Sequence, residues 1–550
     1  MHTITTQPDL FKVSMPFDIN RMKARLAAHP NPKFVQSVLE GLREGFWPWA
    51  DTRTEGYPDT WDNSWAPPKT AAESDFVNGQ RDIEHAVHHR LVSHHSAGPF
   101  CQNSMIDRTE TAGPRMDTLH QFVPMLRAFK RRNPGKEAVL WKSDMAGAFR
   151  TLPMHPLWQI KQVMTSNLPL KINVQSTTRS SEHAIRNVDR RATFGSSGSP
   201  RLWASVMGLI LWVAIHVLKL EFLCCYVNDS YSMDVEDNMA YYKPYDQIMP
   251  KKQVDLLRLW DFFGVPHERI KQTWGRVLTI IGFEINARAL SPTLPAQPKA
   301  DLVTALREFA ASRQRRLHEF KEIAGWSNWS FNVFPLFKPG LASVYAKMAG
   351  KKNPHAGIYI NRTVRDDLTW MADHIERSSG TFFFENIDWH PLNDADDIFF
   401  CDACLEGLGF WLKNSTCRFY ASVPESHPMA ERVFYWEAVC VLAALRWYAR
   451  ERVSNPSSRP RRLTILSDNT NTVAMFDTLR ALPDYNWISK STVDMLVEVG
   501  IDLRVVHVPG ELNTVADAIS RHDFASACAE IPNLTILPFS PPQSAGASSS

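Results

Sequence analysis

Four carboxylates recur in order through the last third of the chain, each at an edge of a regular pattern. Asp402 lies in the strand-like run FFCDACLEGLGFWL, where alternation lets one face carry the acid while its neighbours pack on the other. Glu437 lies in YWEAVCVLAALRWYAR, where Trp436, Val439, Cys440, Ala443 and Trp447 repeat at helical spacing. Asp468 follows the strand-like LTILS, and Asp517 follows LRVVHVPG at the start of ADAISRH. Carboxylates brought together repel, and protonation or a divalent cation offsets that repulsion. Two Mg2+ ions in such a cluster activate water and stabilise the leaving oxygen in phosphodiester cleavage. Taken singly, each acid reads equally well as a surface or capping residue, Asp517 especially as a helix N-terminal acid.

A second group precedes it. Asp144 ends a short strand in LWKSDMAGAFRTLPMHPLWQIKQV, and Phe149 follows five residues later. In LEFLCCYVNDSYSMDV two strand-like runs meet at a hairpin signal, with Asn228 and Asp229 expected at the turn. Acids from two strands, Asp144 and Asp229, could hold metal ions beside a primer end and a triphosphate. The plainer reading is a helix-capping Asp144 and an ordinary Asn-Asp turn. Cys401 and Cys404 have C-x-x-C spacing with no second pair, so they read as ordinary buried thiols in a reducing compartment. There is no GxGxxG and no HExxH.

The elements that must position these residues exceed one compact core. The chain has 550 residues, 44% of them hydrophobic, and a formal net charge of +3 that points neither toward nor away from nucleic acid. The expected class is a mixed α/β (α+β) multidomain fold. The expected divisions are an N-terminal extension over 1–75, α/β alternation over 76–295, basic helices beginning near 300, a weak mixed pattern over 352–395, a second α/β domain over 395–525 and a disordered tail over 526–550. The N-terminus lacks the basic start and apolar core of a signal peptide. The most apolar run, LWASVMGLILWVAI, spans 14 residues, short of a membrane span and long enough for a buried helix. The expectation is an intracellular protein, cytoplasmic and/or nuclear, not secreted and without a membrane partner.

Residues 399–521 resemble the RNase H domain of retroelement polyproteins, through CDACLEGLGFW, YWEAVCVLAALRW, LTILSDNTNTV and HVPGELNTVADAISR. The last motif is of the kind seen in long-terminal-repeat and tyrosine-recombinase elements. The resemblance implies that Asp402, Glu437, Asp468 and Asp517 bind metal, that Asn513 is the polar residue four before the last acid, and that the RNA strand of an RNA–DNA hybrid is cut to leave a 3′-hydroxyl. His507 reads as a strand-end residue. Residues 91–350 resemble the reverse transcriptase of fungal tyrosine-recombinase retroelements, the slime-mould-type group, through LWKSDMAGAFRTLPMHPLWQIKQ, FGSSGSPRLW, CYVNDS and GRVLTIIGFEI. That likeness implies a polymerase palm with partial fingers (76–295) and a helical thumb and connection (296–390). Within it Asp144 would bind metal, Phe149 would be the steric gate, Tyr226 would open the YxDD motif, and Lys271 would lie near the triphosphate.

The departures from the pattern matter. Where YVDD is expected the chain has Tyr226, Val227, Asn228 and Asp229. Asparagine is nearly isosteric with aspartate but neutral, and neighbouring strand positions face opposite sides, so Asp229 does not replace it without a register change. The basic fingers stretch is missing between about Arg90 and Leu91, and His94 stands where aspartate is usual.

Two basic clusters suit a phosphate backbone: Arg127, Lys130, Arg131, Arg132 and Lys136, and then Arg313, Arg315, Arg316 and Lys321 with Lys338, Lys347, Lys351 and Lys352 beyond. Trp326 and Trp329 read as core. The expected partners are an RNA–DNA hybrid, an RNA template and a DNA primer. The expected cofactor is Mg2+, two ions per site, with Mn2+ an alternative. The leading reading is an RNase H-type nuclease fused to an impaired polymerase. A fully active reverse transcriptase and an inactive nucleic-acid-binding relic stand beside it.

Overall fold

The computed structural model describes residues 2–53, 55–57, 96, 100–111, 116–166, 185–382, 389–415, 417–451, 460–531 and 535–543. The Arg90–Leu91 junction, His94 and most of the Trp- and Pro-rich stretch of the first 75 residues lie outside them. The chain forms two compact units, Met1–Ile281 with Ile285–Arg288, and Gly282–Glu284 with Ala289–Ser550.

In the first unit, strand β1 (Ala138–Met145) is buried along almost its whole length, as the run AVLWKSDM requires of a central strand. Strand β2 (Cys224–Tyr226), strand β3 (Asp229–Val235) and strand β4 (His267–Gly275) complete a sheet of order β2-β3-β1-β4, with β3 and β4 antiparallel to β1. Helix α1 (Ser199–Trp212), with Pro200 in its first turn, and helix α2 (Lys251–Phe263), closed by Gly264 at φ 73°, pack into the same core. So do Met22, Val35, Val38, Leu39 and Leu42 of two N-terminal helices, Ile19–Arg25 and Pro32–Glu44.

The apolar segment is longer than the 14 residues read from sequence. A π-helical turn, Val213–Val217, extends α1, so Ser199–Val217 is long and apolar enough to cross a membrane by length and composition. Leu202, Trp203, Val206, Met207, Leu209, Ile210, Val213 and Ala214 are nonetheless buried in this core.

The hairpin turn also needs correcting. Tyr226 pairs with Asp229, so the turn residues are Val227 and Asn228, and Asp229 begins β3. Asn228-Asp229 chemistry suggested the later position. Val227 takes φ 57°, costly for a β-branched residue, and its carbonyl accepts the indole N–H of Trp203 at 2.7 Å.

The second unit begins with helices Ala296–Ala311 and Leu317–Ser330, and Trp329 packs on Phe283 at 4.6 Å. Arg315 and Arg316 are not helical as expected. They lie on a short strand, Gln314–Arg316, paired with Gly357–Tyr359, because the next helix starts only at Leu317. The weak-looking stretch after 352 contains a regular helix, α3 (Arg362–Arg377). Asn361 caps it, and Val364, Leu368, Met371, Ala372 and Ile375 form its buried stripe. That spacing was present in the sequence, diluted by the charges on its other face.

A six-stranded mixed sheet follows, made of β5 (Asp397–Ala403), β6 (Gly407–Leu412), β7 (Cys417–Ser422), β8 (Arg461–Ser467), β9 (Ile501–His507) and β10 (Thr535–Pro538), in the order β9-β8-β5-β6-β7-β10. β5, β6 and β7 are antiparallel; β8 runs parallel to β5 and β9 to β8. Helices α4 (Val433–Glu451) and α5 (Asn486–Val499) share a core with Phe399, Cys401 and Ala403 of β5. Helix α6 (Thr514–Ser520) packs on β5 and β6. The mixed α/β multidomain class expected from sequence is the one observed. The tail over 526–550 is expected to be disordered; its described residues include the end of helix Phe524–Glu530 and β10, which pairs parallel with β7, with Phe539 packed on Phe410 at 5.0 Å. The edge strand β7 offers free N–H and C=O groups, and the short run TILP ahead of the polar tail pairs with them.

Candidate metal centre

The alternation of β5 decides the site. Phe399, Cys401 and Ala403 point into the core, so Asp402 faces the other way, toward α6. Its cross-strand partner is Gly409, where a Cβ would lie 2.8 Å from the Ala516 carbonyl oxygen and 2.8 Å from the Ile519 side chain. Glycine is what lets α6 lie against the sheet here. Asn513, at the helix N-cap and 1% exposed, donates its amide to the Cys401 carbonyl at 3.0 Å and ties α6 to β5. Ser520, at the other end of α6, donates its hydroxyl to Asp402 and, at 2.8 Å, to the Asp517 carbonyl.

Glu437 reaches the same place from α4. Its carboxylate accepts the Ala403 backbone N–H at 3.2 Å and the Ser467 hydroxyl at 3.4 Å, joining the ends of β5 and β8. Asp468 follows β8 immediately. Asn469, not Asp468, caps the next helix, accepting from Asn471 and Thr472 at 3.0 Å, so the Asp468 carboxylate is left to the cluster. A Cβ at Gly510 would sit 3.3 Å from the Asp468 carboxylate, so a glycine allows that loop to approach.

Carboxylate oxygens of Asp402, Glu437 and Asp468 lie within 4.8 Å of one another, and among the described residues no other group of three His, Cys, Asp or Glu side chains does this. Burial, and then neighbouring carboxylates, push Glu437 up to about 9. Burial, with Asp468 and Asp517 adding repulsion against the relief from the Ser520 hydroxyl, pushes Asp402 up to about 6. Asp517 is felt by Asp402 but is not part of the triad. It is half-exposed and bound to Arg521 at 2.8 Å. The hard oxygen donors suit Mg2+ or Mn2+.

The second group assembles differently. Asp144 and Asp229 are cross-strand partners. The Asn228 amide donates to one Asp144 oxygen, and Lys271 Nζ lies 3.3 Å from the other. Lys271 sits on β4. Asp229 lies 3.9 Å from Lys142 Nζ. The two acids are thus matched by two ammonium groups, and both Asp144 oxygens are engaged. Phe149, in a short turn after β1, packs on Phe194 and Trp203 at 5.1 and 6.4 Å, and Tyr226 is exposed. The Cys401 thiol is buried in the core of the second unit, while the Cys404 thiol donates to the Ser520 carbonyl at 3.3 Å.

Solved structures to which the chain is similar include foamy viral protease-reverse transcriptases. One, titled as a dRH form in complex with double-stranded DNA, is 13% identical, with 76% of this chain and 62% of that one covered and a TM-score of 0.36. A second, in complex with an RNA/DNA hybrid, is 12% identical over 88% of this chain and 62% of that one, with a TM-score of 0.39. A third, with double-stranded DNA, is 12% identical over 90% and 98%, with a TM-score of 0.40. The chain thus spans less than two thirds of the first two structures. No protein-family model and no curated protein matches the sequence.

The basic residues differ in exposure. Arg132 pairs with Glu221 at 3.2 Å and lies over Phe222, and Lys130 donates to the Arg288 carbonyl at 3.0 Å; Arg131 and Lys136 are exposed. Arg315 is held by Glu319 at 2.9 Å, whereas Arg316 and Lys321 are exposed. Sequence reading missed Ser467, Ser520, Gly409, Gly510 and Arg521. Small residues and a trailing arginine carry no chemical signature until the strand ends are brought together; the only cue was their place within the CDACLEGLGFW, LTILSD and HVPGELNTVADAISR motifs.

Proposed function

We propose that the second unit hydrolyses the RNA strand of an RNA–DNA hybrid with divalent cations, and that the strand site of the first unit does not polymerise. The observation that carries this is the convergence of Asp402, Glu437 and Asp468 within 4.8 Å in a largely buried setting. Three carboxylates held this close favour a cation or a proton, and burial first, with the neighbouring carboxylates adding to it, shifts Asp402 and Glu437 the same way. The donor set fits the implied group, two Mg2+ ions or Mn2+ in their place. Bound there, such ions supply a nucleophilic water and stabilise the leaving 3′ oxygen. The chain's own residues hold and orient: Ser520 fixes Asp402, Ala403 N–H and Ser467 fix Glu437, and Asn513 holds α6 against β5.

The motif HVPGELNTVADAISR supports an origin in a retroelement of the tyrosine-recombinase group, with residues 76–295 as fingers and palm, 296–390 as thumb and connection, and 395–525 as the nuclease. An intracellular site of action, cytoplasmic or nuclear, belongs to the same reading, as do template and primer as ancestral partners. Exposed Arg131, Arg316 and Lys321 would meet phosphates, giving sequence-neutral, salt-sensitive binding. Labelled RNA–DNA hybrid incubated with the full chain and Mg2+ should be cut in the RNA strand, and Asp402→Asn should remove the activity. Equal cutting by both proteins would refute the assignment.

A further inference from the structure

One acid of the sequence pattern, Asp517, stands apart from the triad and is bound to a cation. Arg521 follows α6 directly and its Nε binds Asp517 Oδ1 at 2.8 Å. The position is fixed from below: the Arg521 backbone N–H donates to the Asp517 carbonyl at 3.1 Å, and the preceding Ser520 carbonyl receives the Cys404 thiol. Ser520 itself is hydrogen-bonded to Asp402, so the guanidinium stands at the rim of the carboxylate cluster, where it draws on Asp402 as well as Asp517. Its side chain is 61% exposed, and only Nε bonds to a carboxylate among the described residues. Nη1 and Nη2 are thus not taken up by the carboxylates beside them. A guanidinium binds carboxylate and phosphate oxygens with the same forked geometry, so the two compete for it.

We propose that Arg521 exchanges partners on substrate binding: it restrains Asp517 in the free protein, passes to a non-bridging oxygen of the bound phosphodiester, and releases Asp517 to the carboxylate cluster. Full assembly of the cation site is thereby coupled to the presence of nucleic acid. The inference rests on the hydrolytic reading above for its substrate and deepens it by naming a residue that contacts the phosphate.

The test uses the full chain with Mn2+ as probe, with and without an RNA–DNA hybrid. Arg521→Gln should bind Mn2+ several-fold more tightly than the wild type when no nucleic acid is present, because Asp517 is freed and a positive charge is removed. The same variant should bind hybrid about tenfold more weakly in EDTA, and Arg521→Lys should recover part of that loss. Adding Asp517→Asn to Arg521→Gln should abolish the gain in Mn2+ affinity. Unchanged Mn2+ affinity together with unchanged hybrid affinity in Arg521→Gln, with only its melting temperature altered, would reduce the pair to a helix-end ion pair and overturn the proposal. If the affinity changes appear but the wild type cuts no hybrid, the partner exchange stands and the hydrolytic reading fails.

Discussion

Asp402 and Glu437 hold protons to higher pH when folded than the ordinary 3.8 and 4.5, up to about 6 and about 9. The unfolded chain releases those protons first, so without metal the folded state binds more protons and loses stability as pH rises. The loss begins above the unfolded values and is complete once both groups ionise in the folded state. The melting temperature in EDTA should therefore fall between about pH 5 and about pH 9, and saturating Mg2+ should flatten the curve. Asp402→Asn should stabilise the metal-free protein at about pH 8 by roughly 2 kcal/mol while abolishing cleavage. A melting temperature that does not change with pH in EDTA would show that the two carboxyls are not held protonated by burial and by their neighbours.

At the level of elements, the site depends on how closely α6 lies on the sheet. Gly409→Val places a side chain where 2.8 Å separates a Cβ from the Ala516 carbonyl, and helix backbone cannot give way as a flexible side chain would. It should cost about 1–3 kcal/mol in chemical denaturation and weaken Mn2+ binding, because Asn513 and Ser520 move with the helix. A second joint lies between α3 and α5. The buried Asp367 binds Lys490 at 2.8 Å and the Asn486 amide, while Asp494 accepts from Trp370 at 2.7 Å and pairs with His374 at 2.8 Å. Lys490→Met leaves Asp367 buried with only the Asn486 amide and the Ser343 N–H for partners and should destabilise the protein by about 3–5 kcal/mol, measured by urea unfolding. Of these elements, α3 could have been found from its cap and stripe. The Asp367–Lys490 pair could not, since its members are far apart in sequence and each is an ordinary surface type.

For the whole molecule, the two acidic groups should behave oppositely toward cations. In the second unit Asp402 and Glu437 of the close triad accept hydroxyl or N–H groups, and among the described residues no ammonium is bound to any of the three, whereas Asp144 and Asp229 face Lys271 and Lys142. Mn2+ titration of the full chain should lose its tight sites in Glu437→Gln and keep them in Asp144→Asn. Primer extension on an RNA template should be absent, and Asn228→Asp, which removes the amide from Asp144 and adds a charge, should raise it or Mn2+ binding in the first unit. Vigorous extension by the unaltered chain would contradict the reading of that site.

The sequence alone settled the chemical types: the acids on strand ends and a helix, the neutral Asn228 within CYVNDS, and the mixed α/β class that alternating and helical spacings require. These are local properties, written in periods of two and 3.6 residues. Tertiary structure decided which acids share a cation. Asp402, Glu437 and Asp468 meet because β5 and β8 run parallel with α4 beneath them, while Asp517 turns to Arg521 one helical turn away. It also decided that Lys271 would neutralise Asp144 and that the tail would add a sixth strand. Such outcomes depend on distances between remote segments, which sheet register and helix packing fix and which no local pattern encodes.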